Sequence, residues 1–572
     1  MPRVKIETRP SLVPPPTFVA HPVLARVLSH RGISAPQDVD LSLKRLLPPT
    51  DLPDIDRAAE RLAQALEAQQ RILIVGDFDA DGATSVALCM RVLYDFGARQ
   101  VDFIVPNRFD YGYGLSPEIV ELALQRTPDV ILTVDNGVSS VAGVAAANAA
   151  GVDVIVTDHH LPGMELPAAL AVVNPNLQGA TFGSRNLAGV GVAYYLLGRL
   201  RSLLRERGWF TASGIVEPNM AAYLDLVALG TVADVVPLDS NNRVLVQQGL
   251  ARMRAGLCCD GIKALVEVGG RNLGKLSAQD LGFAVGPRLN AAGRLEDMTV
   301  GIQCLLAPDF QTARKYAVAL DELNKTRRAL EQDMVSDAEI LLAEDALPAD
   351  AAGLTVYHES FHQGVVGIVA GRVRERHYRP VIAFADAGDQ NPDELKGSAR
   401  SIPGLHIRDV LDGIASAHPG LLLKFGGHAM AAGLSIKRVH YPRFAVIFDK
   451  AVRAAVSEEA LAARMITDGE LNAGHLNLDT AQVLHNAGPW GNGFEEPSFH
   501  GDFELVSQRV VGGAHLRLVL KSEGTVIDGI AFRQAALPNM TTRVRVVYKL
   551  GINDYGQYPT PQLVVEYLEA LP

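Results

Sequence analysis

Between residues 55 and 173 the chain alternates two kinds of hydrophobic pattern. Stretches with apolar positions three and four apart, at 55–69, 83–96, 116–125 and 139–149, predict helices. Between them lie short apolar runs rich in Val and Ile: ILIVG, VDFIV, DVILTV and VDVIVT, followed by ALAVV. Such runs predict strands buried on both faces, as in a parallel sheet with right-handed helical crossovers. Helical periodicity returns at 188–206 and 220–232. A longer stretch at 311–342, rich in Arg, Glu and Ala, is polar enough for a partly exposed connecting helix. From Gly353 a second strand–helix–strand pattern begins with LTVYHE, GVVGIVAGRVRERH and RPVIAFAD. Beyond Thr467 short strands at turn-punctuated spacing predict a small β-barrel. The reading is an α/β protein with a Pro-rich lead at 1–50, a parallel-sheet domain at 51–310 and a connecting helix at 311–345. A second α/β lobe at 346–457 and an OB-like barrel at 465–572 complete it.

Composition narrows the class. The 572 residues are 48% hydrophobic, enough for several sizeable cores and against wholesale disorder. The four cysteines, Cys89, Cys258, Cys259 and Cys304, contain no C-x-x-C pair and suit buried thiols in a reducing compartment. No apolar span is long enough for a membrane helix, so a soluble cytoplasmic protein is expected. A net charge of −11 argues against a general nucleic-acid coat, though not against a local basic groove.

The chemistry lies where the predicted strands end. ILIVG runs into Asp77, Asp79 and Asp81; VDFIV into Asn107 and Arg108; DVILTV into Asp135; VDVIVT into Asp158, His159 and His160. Ligands of open α/β sheets bind at that rim. One Asp after a strand is usually a cap, but recurrence at successive strand ends points to a shared metal site. The spacing of GDFDADG also opens an EF-hand loop. Here a strand precedes the motif, and Leu88 stands where the bidentate Glu should be. Carboxylates plus a His favour Mn²⁺ or Mg²⁺ over structural zinc. Asp135 and His159 are natural further ligands, as is Asp234, an acid in the apolar stretch LVALGTVADVVPL. His160 is a candidate proton or hydrogen-bond donor to a phosphate or leaving oxygen.

GDFDADG, the Asp in TVDNG, the DHH triplet and the Asp of ADVVPL resemble, in order, the motifs of the DHH phosphoesterase superfamily. FGGHAMAAGL is similar to the Gly-Gly-His signature of the DHH-associated domain. With PNRFDYGYG, GPRLNAAGR, GSARS and a C-terminal barrel, the set resembles the RecJ-type single-strand-specific exonucleases from about residue 50 onward. The resemblance implies a two-Mn²⁺ or two-Mg²⁺ enzyme that degrades single-stranded DNA from its 5′ end to mononucleotides, in recombination and repair. It implies that Asp79 and Asp81 serve separate ions, that Asp135 bridges them, and that His159 and Asp234 complete the site near Asp81. Asp77 and Asp158 would orient the loop and the imidazole from behind. Some relatives have a His where this chain has Val75, so the ion near Asp79 would depend more on water.

The same motifs imply DNA contacts at Asn107, Arg108, Arg288, Asn290, Arg294, Arg372, Ser398, Arg400, Ser401, Gly426, Gly427 and His428. Guanidinium suits phosphate because its fork donates two parallel hydrogen bonds. GSARS is the candidate grip for a 5′-terminal phosphate. Arg517, Lys521, Arg543 and Arg545 could add a barrel contribution, or simply decorate its surface. Implied partners are single-stranded DNA, a single-stranded-DNA-binding protein and a RecQ-type helicase, with a monomeric protein and no membrane. The alternatives are a DHH hydrolase of short oligonucleotides or cyclic dinucleotides, and a non-catalytic DNA-binding relative. The latter would be expected to lose acids that this chain retains.

Overall fold

Five parallel strands carry the first domain: β1 (Ile72–Gly76), β2 (Val101–Ile104), β3 (Val130–Val134), β4 (Asp153–Thr157) and β5 (Ala171–Val173). The computed structural model describes residues 4–107, 114–344, 351–388, 391–457, 459–513, 515–538, 540–554 and 556–572. The strand order is β2-β1-β3-β4-β5, with Ile72 paired to both Val101 and Val130. The chain leaves β1 to one side and returns on the other. The order therefore reverses between β1 and β3, and a crevice opens at their C-terminal ends.

Alternate side chains of each strand enter opposite layers. Ile72, Ile74, Val130 and Leu132 join a core with α2 (Ile55–Glu67), α3 (Ala80–Asp95) and α6 (Gly189–Glu206). Leu73, Val75, Ile131 and Val154 face α4 (Pro117–Leu124) and α5 (Val141–Ala149). Each fully buried Val or Ile contributes roughly 1.5–3 kcal/mol of transfer free energy, which is why these strands are dominated by apolar residues up to their ends. Beyond α6 come α7 (Leu224–Ala233), α8 (Ser240–Arg254) and α9 (Gly286–Leu295). The last places GPRLNAAGR on a helix. The periodicity at 83–96 is a helix that starts earlier, at Ala80, because Asp79 caps it.

The connecting helix α10 (Phe310–Glu344) is present, and its residues divide between two compact units. The smaller unit holds residues 1–7 and 324–466, the larger 8–323 and 467–572. In the smaller unit β6 (Leu354–Tyr357), α11 (Val366–His377), β7 (Val381–Asp386), β8 (Glu394–Arg400), α12 (Ile407–Ala417), β9 (Lys424–Gly427), β10 (Ala431–Lys437) and α13 (Tyr441–Ala455) follow in turn. Their sheet order is β9-β10-β8-β7-β6, with only β6 and β7 parallel.

The barrel strands are β11 (Phe499–Val511), β12 (His515–Ser522), β13 (Thr525–Ala531), β14 (Arg543–Asn553) and β15 (Thr560–Leu571), closed in the order β11-β12-β13-β15-β14. Leu516, Leu518 and Leu520 point inward on β12 in strict alternation. The barrel is not a core apart: Trp490, Phe494 and Phe499 belong to the same buried cluster as the helices of the parallel-sheet domain. The Pro-rich lead also packs there through α1 (Pro22–Ser29). Arg31 forks onto Asp468 at 2.8 and 3.0 Å, beside a 2.8 Å contact from His30.

Candidate metal centre

The acidic groups gather where the strand order predicts a crevice. Past β1, Asp79 caps α3, its Oδ1 accepting the N–H groups of Asp81 (2.9 Å) and Gly82 (3.0 Å). Asp81 thereby falls in the first helical turn and is buried. Its two oxygens accept N–H groups from Gly189 (2.6 Å) and Val190 (2.9 Å) at the start of α6. The N-terminus of α6 thus points at the Asp81 carboxylate, a favourable placement for an anion. Asp135, just after β3, has φ +62°, and Gly189 lies so close that a Cβ there would sit 2.5 Å from the Asp135 Cβ. Asp158, fully buried after β4, accepts the N–H groups of Val138 (2.9 Å), His159 (2.7 Å) and His160 (3.1 Å), and contacts His160 Nδ1 at 2.8 Å.

His159 is the hub. Its Nε2 lies 3.1 Å from Asp135 Oδ1, 3.5 Å from Asp234 Oδ2 and 4.0 Å from Asp81 Oδ2. Two sets of groups are close enough to share an ion, Asp81–His159–Asp234 and Asp77–Asp79–Asp135; a third, Asp135–His159–His160, overlaps both. Burial, then the charge of Asp79, raises the Asp81 carboxyl to about 7. Burial and neighbouring carboxylates also hold Asp135 and Asp234 well above the ordinary value. Burial, then the charge of His160, lowers His159 to about 4, so its imidazole is neutral at pH 7. Burial opposes ionisation of Asp158 as well, but the His160 hydrogen bond and charge outweigh it and leave its pKa low. His160 is correspondingly raised: burial lowers it, and Asp158, Asp77 and Asp79 more than offset that.

Crowded buried carboxylates of this kind resist ionisation until a cation offsets their repulsion. Oxygen donors with one neutral imidazole fit Mn²⁺ or Mg²⁺, and the three groups contain no thiolate. Asp77, expected in a supporting role, belongs to the three-carboxylate set with Asp79 and Asp135. Val75 is buried in the sheet core and cannot supply a ligand.

Several residues that build this site carried no obvious signal. Asn174 and Asn176, from VVNPN, hold the DHH loop through the carbonyls of His160 (2.9 Å) and His159 (2.6 Å). Asn136 ties the ends of β1 and β3 through the Val75 and Val134 carbonyls, at 3.1 and 2.9 Å. An Asn-rich turn directly after an apolar run was the available clue for both.

Residues 71–231 match the DHH family, N-terminal domain; 350–457 match the DHHA1 domain and 467–567 the RecJ OB domain. The chain is 51% identical over 556 residues, 96% of each chain, to the single-stranded-DNA-specific exonuclease RecJ of Dickeya dadantii (strain 3937). It belongs to the RecJ family. The RecJ of Escherichia coli (strain K12) is 49% identical over 555 residues, 95% of each chain. The crystal structure of RecJ in complex with Mn²⁺ from Thermus thermophilus is 30% identical at a TM-score of 0.79, covering 100% of this chain and 80% of that one.

The DNA contacts expected from the RecJ resemblance meet varied surroundings. Asn107 is half-buried just beyond β2, and Arg108 lies outside the described residues. Arg288 is buried, its guanidinium engaged with Asp321 at 2.7 and 2.9 Å and with the Ala284 carbonyl at 2.5 Å. Asn290 Oδ1 accepts the Ala80 N–H at 2.8 Å, and the Phe78 carbonyl reaches the Gly293 backbone. Through Asn290 and Gly293, α9 braces the GDFDADG loop in this structure. Arg294, half-buried, ends that helix.

In the smaller unit Ser401 is fully buried, and its hydroxyl donates to the Leu405 carbonyl at 2.7 Å. Arg400 donates to Ser398 Oγ (3.0 Å) and the Ala399 carbonyl (2.8 Å), and burial, then the charge of Arg374, lowers its pKa. Arg372 pairs with Glu331 (2.9 Å) and Glu375 (3.1 Å). Gly426, Gly427 and His428 are exposed around the β9–β10 turn. On the barrel Arg517, Lys521 and Arg545 pair with Asp528, Glu504 and Asp502 at 2.7–3.1 Å, so most of the expected basic face is neutralised.

Proposed function

We propose that this chain is a metal-dependent exonuclease that hydrolyses the phosphodiester bonds of single-stranded DNA from the 5′ end, releasing mononucleotides, in DNA recombination and repair. The observation that carries the reading is the pair of ligand sets, Asp77–Asp79–Asp135 and Asp81–His159–Asp234, at the C-terminal rim of β1 and β3. In this reading Asp135 lies between the two and is shared, Asp79 serves one ion, and Asp81, His159 and Asp234 serve the other. Two Mn²⁺ or Mg²⁺ ions would generate the nucleophile at neutral pH and offset charge on the phosphate oxygens during in-line attack.

The protein groups do the rest. Gly189 and Val190 fix the Asp81 carboxylate, and Asn174 and Asn176 fix the loop that aims His159. Asp158 holds His160 by Nδ1 and orients its ring, and His160 is the reading's donor to a phosphate or leaving oxygen. Arg400 with Ser398 is the reading's 5′-phosphate grip; Asn107, Arg108, Arg294, Arg372 and the Gly426–Gly427–His428 turn are its strand contacts. The expected protein partners, a single-stranded-DNA-binding protein and a RecQ-type helicase, belong to the same proposal, as do a monomeric state and a cytoplasmic location. No helix among the described residues is long and apolar enough to cross a membrane.

The test is digestion of single-stranded DNA labelled at either end, with Mn²⁺, Mg²⁺ or chelator, beside a duplex and a dinucleotide. Mononucleotides should appear from the 5′ end only when metal is present. A dinucleotide cut in preference to the long strand would favour the short-oligonucleotide hydrolase, and cleavage indifferent to chelator would refute the metal reading.

A further inference from the structure

We infer that Asn492, on a tight turn just before the barrel, is a positioning residue for the carboxylate of Asp234. The inference rests on the reading of Asp234 as a metal ligand. Asp234 is the C-cap of α7, one residue past Ala233, where helices fray. The next residue, Val235, takes the left-handed conformation, φ +62°, that usually falls to glycine after a helix. A β-branched side chain is disfavoured there, and Val235 gains little packing in return because it is 63% exposed. Something else must hold this helix end.

That support comes from Asn492. Its side-chain amide donates to the Val235 carbonyl at 2.8 Å, and its own carbonyl accepts the Leu238 N–H at 2.7 Å. The two bonds bracket Pro237 and fix the segment from Asp234 to Leu238. The turn that presents Asn492 is itself rigid. Gly491 and Phe494 exchange N–H···O bonds of 3.0 and 3.1 Å, and the Phe494 ring stacks on Trp490 at 5.1 Å and carries the Arg243 guanidinium at 3.9 Å. The glycines on either side permit the approach: a Cβ at Gly491 would lie 2.6 Å from Leu238, and one at Gly493 would lie 3.2 Å from Pro237. A segment of the C-terminal region thus finishes a ligand of the catalytic rim, although it contributes no ligand itself.

The probe is Mn²⁺ alone, titrated calorimetrically into the full-length protein. Asn492→Ala should weaken binding about five-fold, the loss of one neutral hydrogen bond at ~1 kcal/mol, with the circular dichroism spectrum unchanged. Adding Val235→Asn, which tolerates the left-handed conformation, should restore most of the affinity. Trp490→Phe, which removes the 2.9 Å bond to the Leu484 carbonyl, should lower Tm without moving Mn²⁺ affinity. If Asn492→Ala does not fold, Asn492→Leu, similar in size, uncharged and lacking the donor, gives the same reading. Asp234→Asn separates the two ideas. Unchanged Mn²⁺ binding in Asp234→Asn overturns the ligand assignment. Weakened binding there, with Asn492→Ala within two-fold of wild type, overturns the positioning role alone.

Discussion

Gly189→Ala is a one-methyl perturbation aimed at the point where both ligand sets meet. Gly189 opens α6, donates to Asp81 at 2.6 Å, and has no positive φ that would demand glycine. Helix propensity alone favours Ala by roughly 0.5–1 kcal/mol. The methyl, however, would lie 2.5 Å from Asp135 Cβ, 2.8 Å from its Cα and 2.7 Å from its Oδ1. Two of those atoms cannot swing aside, so the backbone of Asp135 or the start of α6 must shift. Overpacking of this kind costs about 1–3 kcal/mol, more than propensity returns, and the displacement falls on Asp135 and Asp81 themselves. The assay is thermal denaturation with and without Mn²⁺. Binding to the native state should raise the wild-type Tm with metal concentration, and the variant should lose most of that increment along with its nuclease activity. A variant that keeps the full Mn²⁺ increment and near-normal kcat would show that the close approach has nothing to do with the metal site.

Asp135→Ala should abolish hydrolysis while single-strand binding and the circular dichroism spectrum persist; near-normal turnover in Mn²⁺ would remove its bridging role. Arg400→Ala should weaken use of 5′-phosphorylated strands by about 1–3 kcal/mol, the value of a charge-assisted contact; equal loss on 5′-hydroxyl strands would mean that it does not read the end. Burial opposes ionisation of Asp468, but the Arg31 hydrogen bond and charge, then those of His30, overcome it, so the folded-state pKa lies below the unfolded one. Its contribution is therefore present above the unfolded value of ~3.9 and lost as pH falls through the folded one. Asp468→Asn, which removes the counter-charge of Arg31 in a site where both side chains are 2% exposed and leaves it the Val27 and Glu495 carbonyls, should lower urea stability at pH 7 by up to about 3–5 kcal/mol, with the gap to wild type narrowing below pH 4. A gap independent of pH would refute the ion-pair account.

How far the sequence could be read depended on whether the signal was local. The strands of the first domain were legible because each is a short, mostly apolar run rich in Val and Ile, and the rim acids because each follows such a run. Distance hid the rest. Asp79 caps α3 and so moves Asp81 into its first turn, yet the groups that fix Asp81 come from Gly189 and Val190, more than a hundred residues on. The motif GPRLNAAGR does not announce that Gly293 lets α9 close on the Phe78 carbonyl, or that the partner of Arg288, Asp321, lies in another helix. The barrel shows the limit most clearly. Alternating strands announce it, but nothing in their pattern says that Trp490 and Phe494 share a core with the parallel-sheet domain, or that Arg31 in the Pro-rich lead is locked to Asp468. The segment GNGFEEP carries no period of apolar residues. Its Phe494 is gripped by Trp490 and Arg243, contacts that exist only after the chain has folded back on itself.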